Sequence, residues 1–386
     1  MNVVIDALSA RDGGGQTYIR NFAAADPPRE IESVTVLALP TLELPCLGSR
    51  VSRLDVSAHF TRPLPRAAFH ILFLPWLLRR LQTDIYFAPG GTLPHRCSRR
   101  YLSVTMSRTM LPFDRTQRSR YPLHKYLRAR LFLLSGVLLR SMSRADLVIF
   151  PSVLARDVIA ATSRHRLEQT VVVPHGVGDE FRAGASLPRP GWLPAQYLLY
   201  VSNIEPYKSQ LEVIDAFRLL KNSSHEHLKL LLVGPESARW YAKLLRERAN
   251  ELGLATDVVF TGRLPHAALP AVYANALVGV FNSECENCPN ALLEAMAAGV
   301  PMVVSDRPPM PEFAQDAAVY VDPRDSADIA RGINELLTDG KRRNVLGAAA
   351  RAKSCEYRWP ETIGDTWKAI LSVAKDPQVK GSAGHA

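Results

Sequence analysis

Cysteine is scarce in this chain. Five occur among 386 residues, at positions 46, 97, 285, 288 and 355, too few and too scattered for a disulfide framework. Long apolar runs are missing as well: no stretch of roughly 18 or more uncharged apolar residues appears, so no transmembrane helix is expected. The two nearest candidates fail on inspection. Phe69 to Leu81 is interrupted by Pro75 and closed by Arg79 and Arg80, and Leu131 to Leu139 is short and bounded by Arg130 and Arg140. Both read as core-facing or interfacial helices. Met1 is followed by Asn-Val-Val-Ile-Asp, with no basic stretch and too short an apolar run for a signal peptide. A reducing cytoplasm is the expected setting. No histidine is paired with a Ser or Cys nucleophile in a recognisable motif, and metal-ligand spacing is absent, so neither a metal nor a cofactor is expected.

What is present is an ordinary globular composition, 47% hydrophobic and 22% charged, with its charge unevenly placed. Residues 1–183 hold 25 Lys and Arg against 14 Asp and Glu, whereas residues 184–386 hold 22 against 23. Most of the excess lies between Arg96 and Arg144, where twelve basic residues meet a single acid, Asp114. A solvated basic surface, an anionic substrate and an anionic membrane surface all fit such a run. Nucleic acid fits worst, for want of any binding motif. From Tyr121 to Leu139, Arg alternates with Leu, Phe and Tyr, the mixture an interfacial helix needs.

Short apolar runs alternate with helix-length amphipathic stretches. Strands are predicted at 2–6, 34–39, 84–88, 101–106, 147–150 and 171–173, and again at 197–201, 228–233, 258–261, 277–281, 302–305 and 318–321. Near-continuous apolar strands separated by helices predict parallel sheets covered on both faces. Two such series in a chain this long predict two doubly wound α/β domains, 1–181 and 195–356. The Gly- and Pro-rich stretch 182–194 reads as their linker. A last helix, at about 357–376, is expected to return to the first domain, and 381–386 reads as a frayed tail.

Three constellations carry chemistry. Asp12-Gly13-Gly14-Gly15-Gln16 follows the first strand and precedes a helix. Glycines there permit a sharp turn and a close approach to a ligand, but a plain strand-to-helix turn fits equally, and the spacing is not that of a dinucleotide fingerprint. Lys208 ends the loop after the strand 197–201, with Ser209 and Glu212 spaced as a capping box. A lysine at the carboxyl end of a parallel strand suits a diphosphate; an exposed loop lysine is the alternative. The third runs from Asn282 to Pro301. A polar loop carries Glu286, Pro289 or Asn290 starts a helix, and Glu294 falls a turn inside it among Leu293, Ala295 and Met296. A carboxylate in so apolar a helix needs a partner, which a hydroxyl-rich ligand supplies. The backbone N–H groups of 288–291 at the helix start suit a diphosphate. Cys285 and Cys288 have the spacing of a redox or metal pair but lack a second pair.

Glu286 and Glu294 enclose seven residues and are followed by Ala295-Met296-Ala297, Gly299, Pro301 and Val303-Val304-Ser305-Asp306. This pattern resembles the retaining glycosyltransferases of family 4, which have the GT-B fold of two Rossmann-like domains facing a central cleft. The glycine-rich first loop, Pro174-His175-Gly176, the strand and loop leading to Lys208, and Pro311-Glu312-Phe313 extend the resemblance over most of the chain. It implies that Glu286 binds hydroxyls of the donor sugar, that Glu294 binds the ribose, and that Lys208 neutralises the diphosphate. Gly13, Gly14 and Gly15 would approach the donor phosphates, and Asn287, Asn290, Ala291 and Leu292 would line the donor. His175 is a candidate near the acceptor, and a cap for its own turn fits it equally.

Two departures stand out. The family's usual Gly-Arg is Ser202-Asn203 here, leaving Arg263 as a candidate replacement cation. The usual His-Asp reads Ser107-Arg108, with Arg108 the candidate cation near the reacting centre. The resemblance implies hexose transfer, with mannose as the expected sugar, from a GDP- or UDP-sugar. The acceptor is expected to be a glycan or a polyprenyl-diphosphate-linked glycan for a cell-surface polysaccharide such as lipopolysaccharide, met at the inner face of the cytoplasmic membrane. An epimerase of the same fold, or a non-catalytic carbohydrate- or membrane-binding protein, is the rival reading.

Overall fold

The apolar runs pair in parallel throughout, in two separate sheets. The computed structural model describes residues 1–10, 13–94, 100–122, 127–163, 167–221 and 225–375. Asp12, the start of the basic run at Arg96, and the tail 381–386 therefore lie outside the described residues.

The first unit comprises Met1–Phe113, Ala129–His175 and Trp359–Ala386. Its strands are β1 (Asn2–Asp6), β2 (Ser33–Ala38), β3 (Val51–Asp55), β4 (Ile85–Ala88), β5 (Leu102–Met106), β6 (Leu147–Phe150) and β7 (Thr170–Val172), in the order β3-β2-β1-β4-β5-β6-β7. The second unit comprises Asp114–Arg128 and Gly176–Arg358. It contains β8 (Tyr197–Val201), β9 (Lys229–Val233), β10 (Val258–Gly262), β11 (Val278–Phe281), β12 (Met302–Ser305) and β13 (Val319–Val321), in the order β10-β9-β8-β11-β12-β13. Strand order reverses between β1 and β4 in one sheet and between β8 and β11 in the other. Those are the points where open α/β sheets bind ligands, beyond the carboxyl ends of the strands.

Every strand expected from the apolar runs is found within one residue of its expected bounds, and one more is present. That one, β3, lies at the sheet edge and is only half-buried, so Ser52 and Arg53 break the apolar run that marks the inner strands.

The division between the units lies upstream of the Gly/Pro-rich stretch 182–194. Val177, Phe181 and Leu193 are buried in the second core, which draws the chain into that unit from Gly176 onward. Residues 114–128, expected in the first domain, also belong to the second unit. The helix Trp359–Lys375 lies in the first unit: Trp359, Ile363, Trp367 and Ile370 fall on one helical stripe and join the core of β1 and β4. Trp367 lies 4.9 Å from the ring of Phe22. Truncating a buried tryptophan of this kind typically costs about 3–5 kcal/mol.

Candidate functional site

The loops leaving β8 and β11, the two strands flanking the switch point of the second sheet, bring Lys208 and Glu286 together. The Lys208 ammonium donates to Glu286 Oε1. Lys208 is only 8% exposed, and its Nζ lies 5.2 Å from the ring centroids of both Tyr207 and Phe281. Its main chain is fixed as well: the Tyr200 hydroxyl donates to the Lys208 carbonyl at 2.5 Å, and the Lys208 N–H donates to the Glu205 carbonyl at 2.9 Å. The alternative of an exposed loop lysine is therefore excluded. A buried ammonium beside two aromatic faces and a single carboxylate is a cation that can exchange that partner for another anion.

Ser209, the next residue, occupies the left-handed region at φ 50°, a conformation costing about 1–2 kcal/mol in a non-glycine residue. It does not serve as the expected capping box. Its hydroxyl donates to Glu284 Oε1 at 2.9 Å, and Glu212 faces Arg120, whose Nη2 lies 3.2 Å from Glu212 Oε1. As a cap the hydroxyl would accept from the helix's free N–H groups; here it accepts instead from Arg120 Nη1 at 3.1 Å and donates to a buried carboxylate, both charge-assisted hydrogen bonds.

Glu284 was not singled out by the sequence, yet it organises this corner. Its side chain is 2% exposed. Besides Ser209 it accepts from Gln117 Nε2 at 3.2 Å, Arg324 Nε at 2.7 Å and Arg120 Nη1. Gln117 and Arg120 come from the 114–128 excursion, where Asp114 caps the short helix Arg115–Ser119 through the Gln117 N–H. Tyr121 of the same segment donates to Glu205 Oε2 at 2.7 Å. Segment 114–122 thus grips both loops, at 205–209 and at 284. Burial pushes the Glu205 and Glu212 carboxyls above the usual carboxylate range. The signal available beforehand was the lone acid Asp114 within a basic run, a helix cap rather than a patch residue.

Asn287 is buried and Asn290 begins the helix Asn290–Ala297. The expectation of open N–H groups across 288–291 is corrected here: residue 289 is proline, and the Asn290 N–H already donates to the Cys288 carbonyl at 2.9 Å. Ala291 and Leu292 form the first turn, with the Ala291 carbonyl accepting from the Tyr273 hydroxyl at 3.2 Å. Glu294 has the partner its apolar helix demanded: Tyr273 donates to Glu294 Oε2 at 3.2 Å, and His266 Nε2 lies 3.7 Å from Oε1. Asn203 is exposed, with its carbonyl accepting from Gln210 Nε2 at 2.9 Å. Arg263 follows the edge strand β10, two strands from β8. Cys285 is buried, and that burial pushes its thiol well above the usual range, which disfavours the thiolate that redox or metal chemistry requires.

In the first unit, Gly13 precedes the helix Gly14–Ala24 at φ 57° and ψ −142°, a conformation favouring glycine. A Cβ on Gly15 would stand 2.8 Å from Arg108 Nη2, so the absence of a side chain lets the Arg108 guanidinium lie against the helix start. His175 is 5% exposed. Its ring lies 5.5 Å from that of Tyr18 and 6.1 Å from that of Trp359.

Residues 193–353 match the family model described as glycosyl transferases group 1. The chain is 26% identical over 317 residues to O-antigen chain mannosyltransferase B of Escherichia coli, covering 76% of each chain. It is 31% identical over 171 residues to the GDP-mannose-dependent alpha-(1-6)-phosphatidylinositol monomannoside mannosyltransferase of Mycobacterium tuberculosis, covering 41% of this chain and 43% of that one. Among solved structures, HepE of Anabaena in complex with UDP and glucose aligns with a TM-score of 0.71 at 18% identity, covering 96% of this chain and 100% of that one. The two parallel sheets are those of the GT-B fold, residues 193–353 of the second unit match a group 1 glycosyltransferase domain, and the protein is a glycosyltransferase.

Proposed function

We propose that the protein is a retaining transferase of family 4 that moves mannose from a guanosine-diphosphate donor to a hydroxyl of a polyprenyl-diphosphate-linked glycan. The product would serve a cell-surface polysaccharide of the lipopolysaccharide kind. The observation that carries the reading is the Lys208–Glu286 pair at the switch point of the second sheet. The two mannosyltransferase relatives support the sugar, and one of them is GDP-mannose-dependent by name, which supports the guanosine donor. HepE was solved with UDP and glucose, which keeps a uridine donor as the second choice.

In this reading the donor exchanges the internal ion pair for its own groups. Lys208 turns to the diphosphate and Glu286 accepts hydrogen bonds from sugar hydroxyls, while Glu294 receives the ribose hydroxyls beside Tyr273. Asn287, Asn290, Ala291 and Leu292 line the donor, Asn203 and Arg263 stand at its edge, and Gly13 to Gly15 approach its phosphates. The bond from the anomeric carbon to the β-phosphate oxygen breaks as the acceptor oxygen attacks from the same face. The acceptor proton passes to the departing phosphate oxygen, giving the glycoside and a nucleoside diphosphate. Charge grows on that diphosphate, and a preformed cation such as Lys208 stabilises it without reorganisation. Arg108 is proposed as a second cation at the reacting centre, in place of the family's histidine, and His175 as a residue of the acceptor side. No metal is required by this scheme.

The first unit is proposed to receive the acceptor, with its basic run drawing the enzyme to an anionic membrane at the inner face of the cytoplasmic membrane. Among the described residues no helix is long and apolar enough to cross a membrane. The test is incubation with a panel of radiolabelled nucleotide-sugars and a membrane lipid extract, followed by the anomeric configuration of the product. Label entering the lipid fraction from guanosine-diphosphate mannose, with the α configuration kept, is the expected result. Donor binding without transfer to any acceptor would leave a non-catalytic binding protein as the better account.

A further inference from the structure

In the first unit, the chain between β3 and β4 folds into a helical arm: Pro63–Ala68, a π-turn at Phe69–Phe73, and Leu74–Arg80. Its inner face is fixed. His70, Leu74 and Leu78 are buried at a spacing of four, and His70 Nε2 lies 2.8 Å from Asp6 Oδ2 at the end of β1. With that side anchored, an ordinary surface helix turns polar residues to water. This one turns Leu72, Phe73 and Trp76 outward, at 68%, 57% and 58% exposure, with Leu64 at 84%. The wide π-turn makes three consecutive apolar residues, 71–73, face solvent together.

These are not scattered singles. Of fifteen exposed large apolar residues among the described residues, five lie on this arm and three more, Phe132, Leu133 and Val137, on the helix Leu127–Met142. The charge around the arm is of one sign. From Val56 to Thr83 the chain has no Asp or Glu, whereas Arg62, Arg79 and Arg80 are exposed. The Arg80 guanidinium lies 5.4 Å from the Trp76 ring.

We propose that the arm Pro63–Arg80 docks on an anionic lipid surface, its leucines, Phe73 and Trp76 entering the headgroup boundary and its arginines meeting lipid phosphates. This deepens, and rests on, the reading that the enzyme works at an anionic membrane, and it moves the main attachment from the 96–144 run to the arm. Tryptophan beside arginine at the edge of an apolar face is the composition of an interfacial element. A second copy of the chain fits less well, because a two-fold contact would set the same arginines against each other with no acid between them.

The test is co-sedimentation of the full chain with vesicles of phosphatidylcholine alone or mixed with phosphatidylglycerol, at low and high salt. Wild type is expected to bind the anionic vesicles, less so in high salt, with a blue shift of tryptophan emission that Trp76→Phe abolishes. The triple variant Leu72→Ser, Phe73→Ser, Trp76→Ser should lose binding at least roughly tenfold. Its thermal midpoint and nucleotide binding should stay unchanged, since all three side chains are exposed. The matched variant Phe132→Ser, Leu133→Ser, Val137→Ser should lose less. Equal binding by wild type and the arm variant, or loss only in the matched variant, overturns the proposal while sparing the membrane reading. Wild type that ignores anionic vesicles overturns both. A dimer seen by light scattering and dissolved by the arm variant overturns it in favour of self-association.

Discussion

The Ser209 hydroxyl lies 2.9 Å from Glu284 Oε1, tying the residue after Lys208 to the residue two before Glu286. The two loops that carry Lys208 and Glu286 are therefore one hydrogen-bonded body. Glu284 is its hub, because four donors converge on a carboxylate that water scarcely reaches.

Glu284→Ala removes a buried acceptor of four hydrogen bonds, but Arg120 keeps Glu212 and Arg324 is more than half in water, so the expected cost in urea unfolding is about 2–3 kcal/mol. Ser209→Ala removes two hydrogen bonds, to Glu284 and from Arg120, and should cost about 1–2 kcal/mol. Ser209→Gly loses the same bonds but relieves the left-handed backbone, and should cost less than Ser209→Ala. The ordering of the three is the check.

Lys208→Met removes the cation that lies 5.2 Å from the Tyr207 and Phe281 rings while keeping an unbranched apolar side chain. Calorimetric titration with guanosine diphosphate should show affinity falling by roughly 10- to 100-fold, the range for a lost charge-assisted hydrogen bond. Glu286→Gln, which touches the sugar rather than the diphosphate in our scheme, should leave that affinity within about threefold.

Burial raises the Glu205 carboxyl above its usual range, although the Tyr121 hydroxyl and Lys208 pull the other way. The folded state therefore binds this proton more tightly than the unfolded chain. Its favourable contribution is full below the unfolded value of about 4.3 and is lost as pH rises through the raised folded value. Glu205→Gln, neutral at every pH, is expected to gain stability on wild type at neutral pH. That gain should shrink toward zero under acid, as thermal midpoints across a pH series will show.

The first-unit glycines separate backbone from contact. Gly13→Ala has open space around the new Cβ but a φ of 57°, so it should cost about 1–3 kcal/mol through strain alone. Gly15→Ala has ordinary φ but meets Arg108 Nη2 at 2.8 Å. Since that atom ends a flexible side chain, stability should change little while Arg108 is displaced. Thermal melts of the pair check this.

Much of this was legible in the sequence. Twelve of the strands were, because both faces of a parallel sheet are covered and inner strands such as Ile85–Ala88 are wholly apolar; β3 escaped because an edge strand has one partner and half its surface in water. The positions of Lys208, Glu286 and Glu294 were readable because the loops after two apolar strands and the first turns of the helix Asn290–Ala297 carry a strong local pattern. Glu284, Gln117, Arg120 and Tyr121 were not. Their meaning depends on residues 114–122 joining the second unit, a long-range choice that no local spacing encodes. Ser209 was misread for the same reason, its capping pattern overridden by a buried carboxylate some 75 positions away.

The most direct test of the central claim is the turnover of guanosine-diphosphate mannose into the lipid-glycan fraction by wild type, Lys208→Gln and Glu286→Gln under saturating donor. If this pair at the switch point grips the donor through the transition state, kcat should fall by about 100-fold or more in each variant, with thermal midpoints showing both folded. Transfer at wild-type rate by either folded variant would contradict the account and place the donor grip elsewhere.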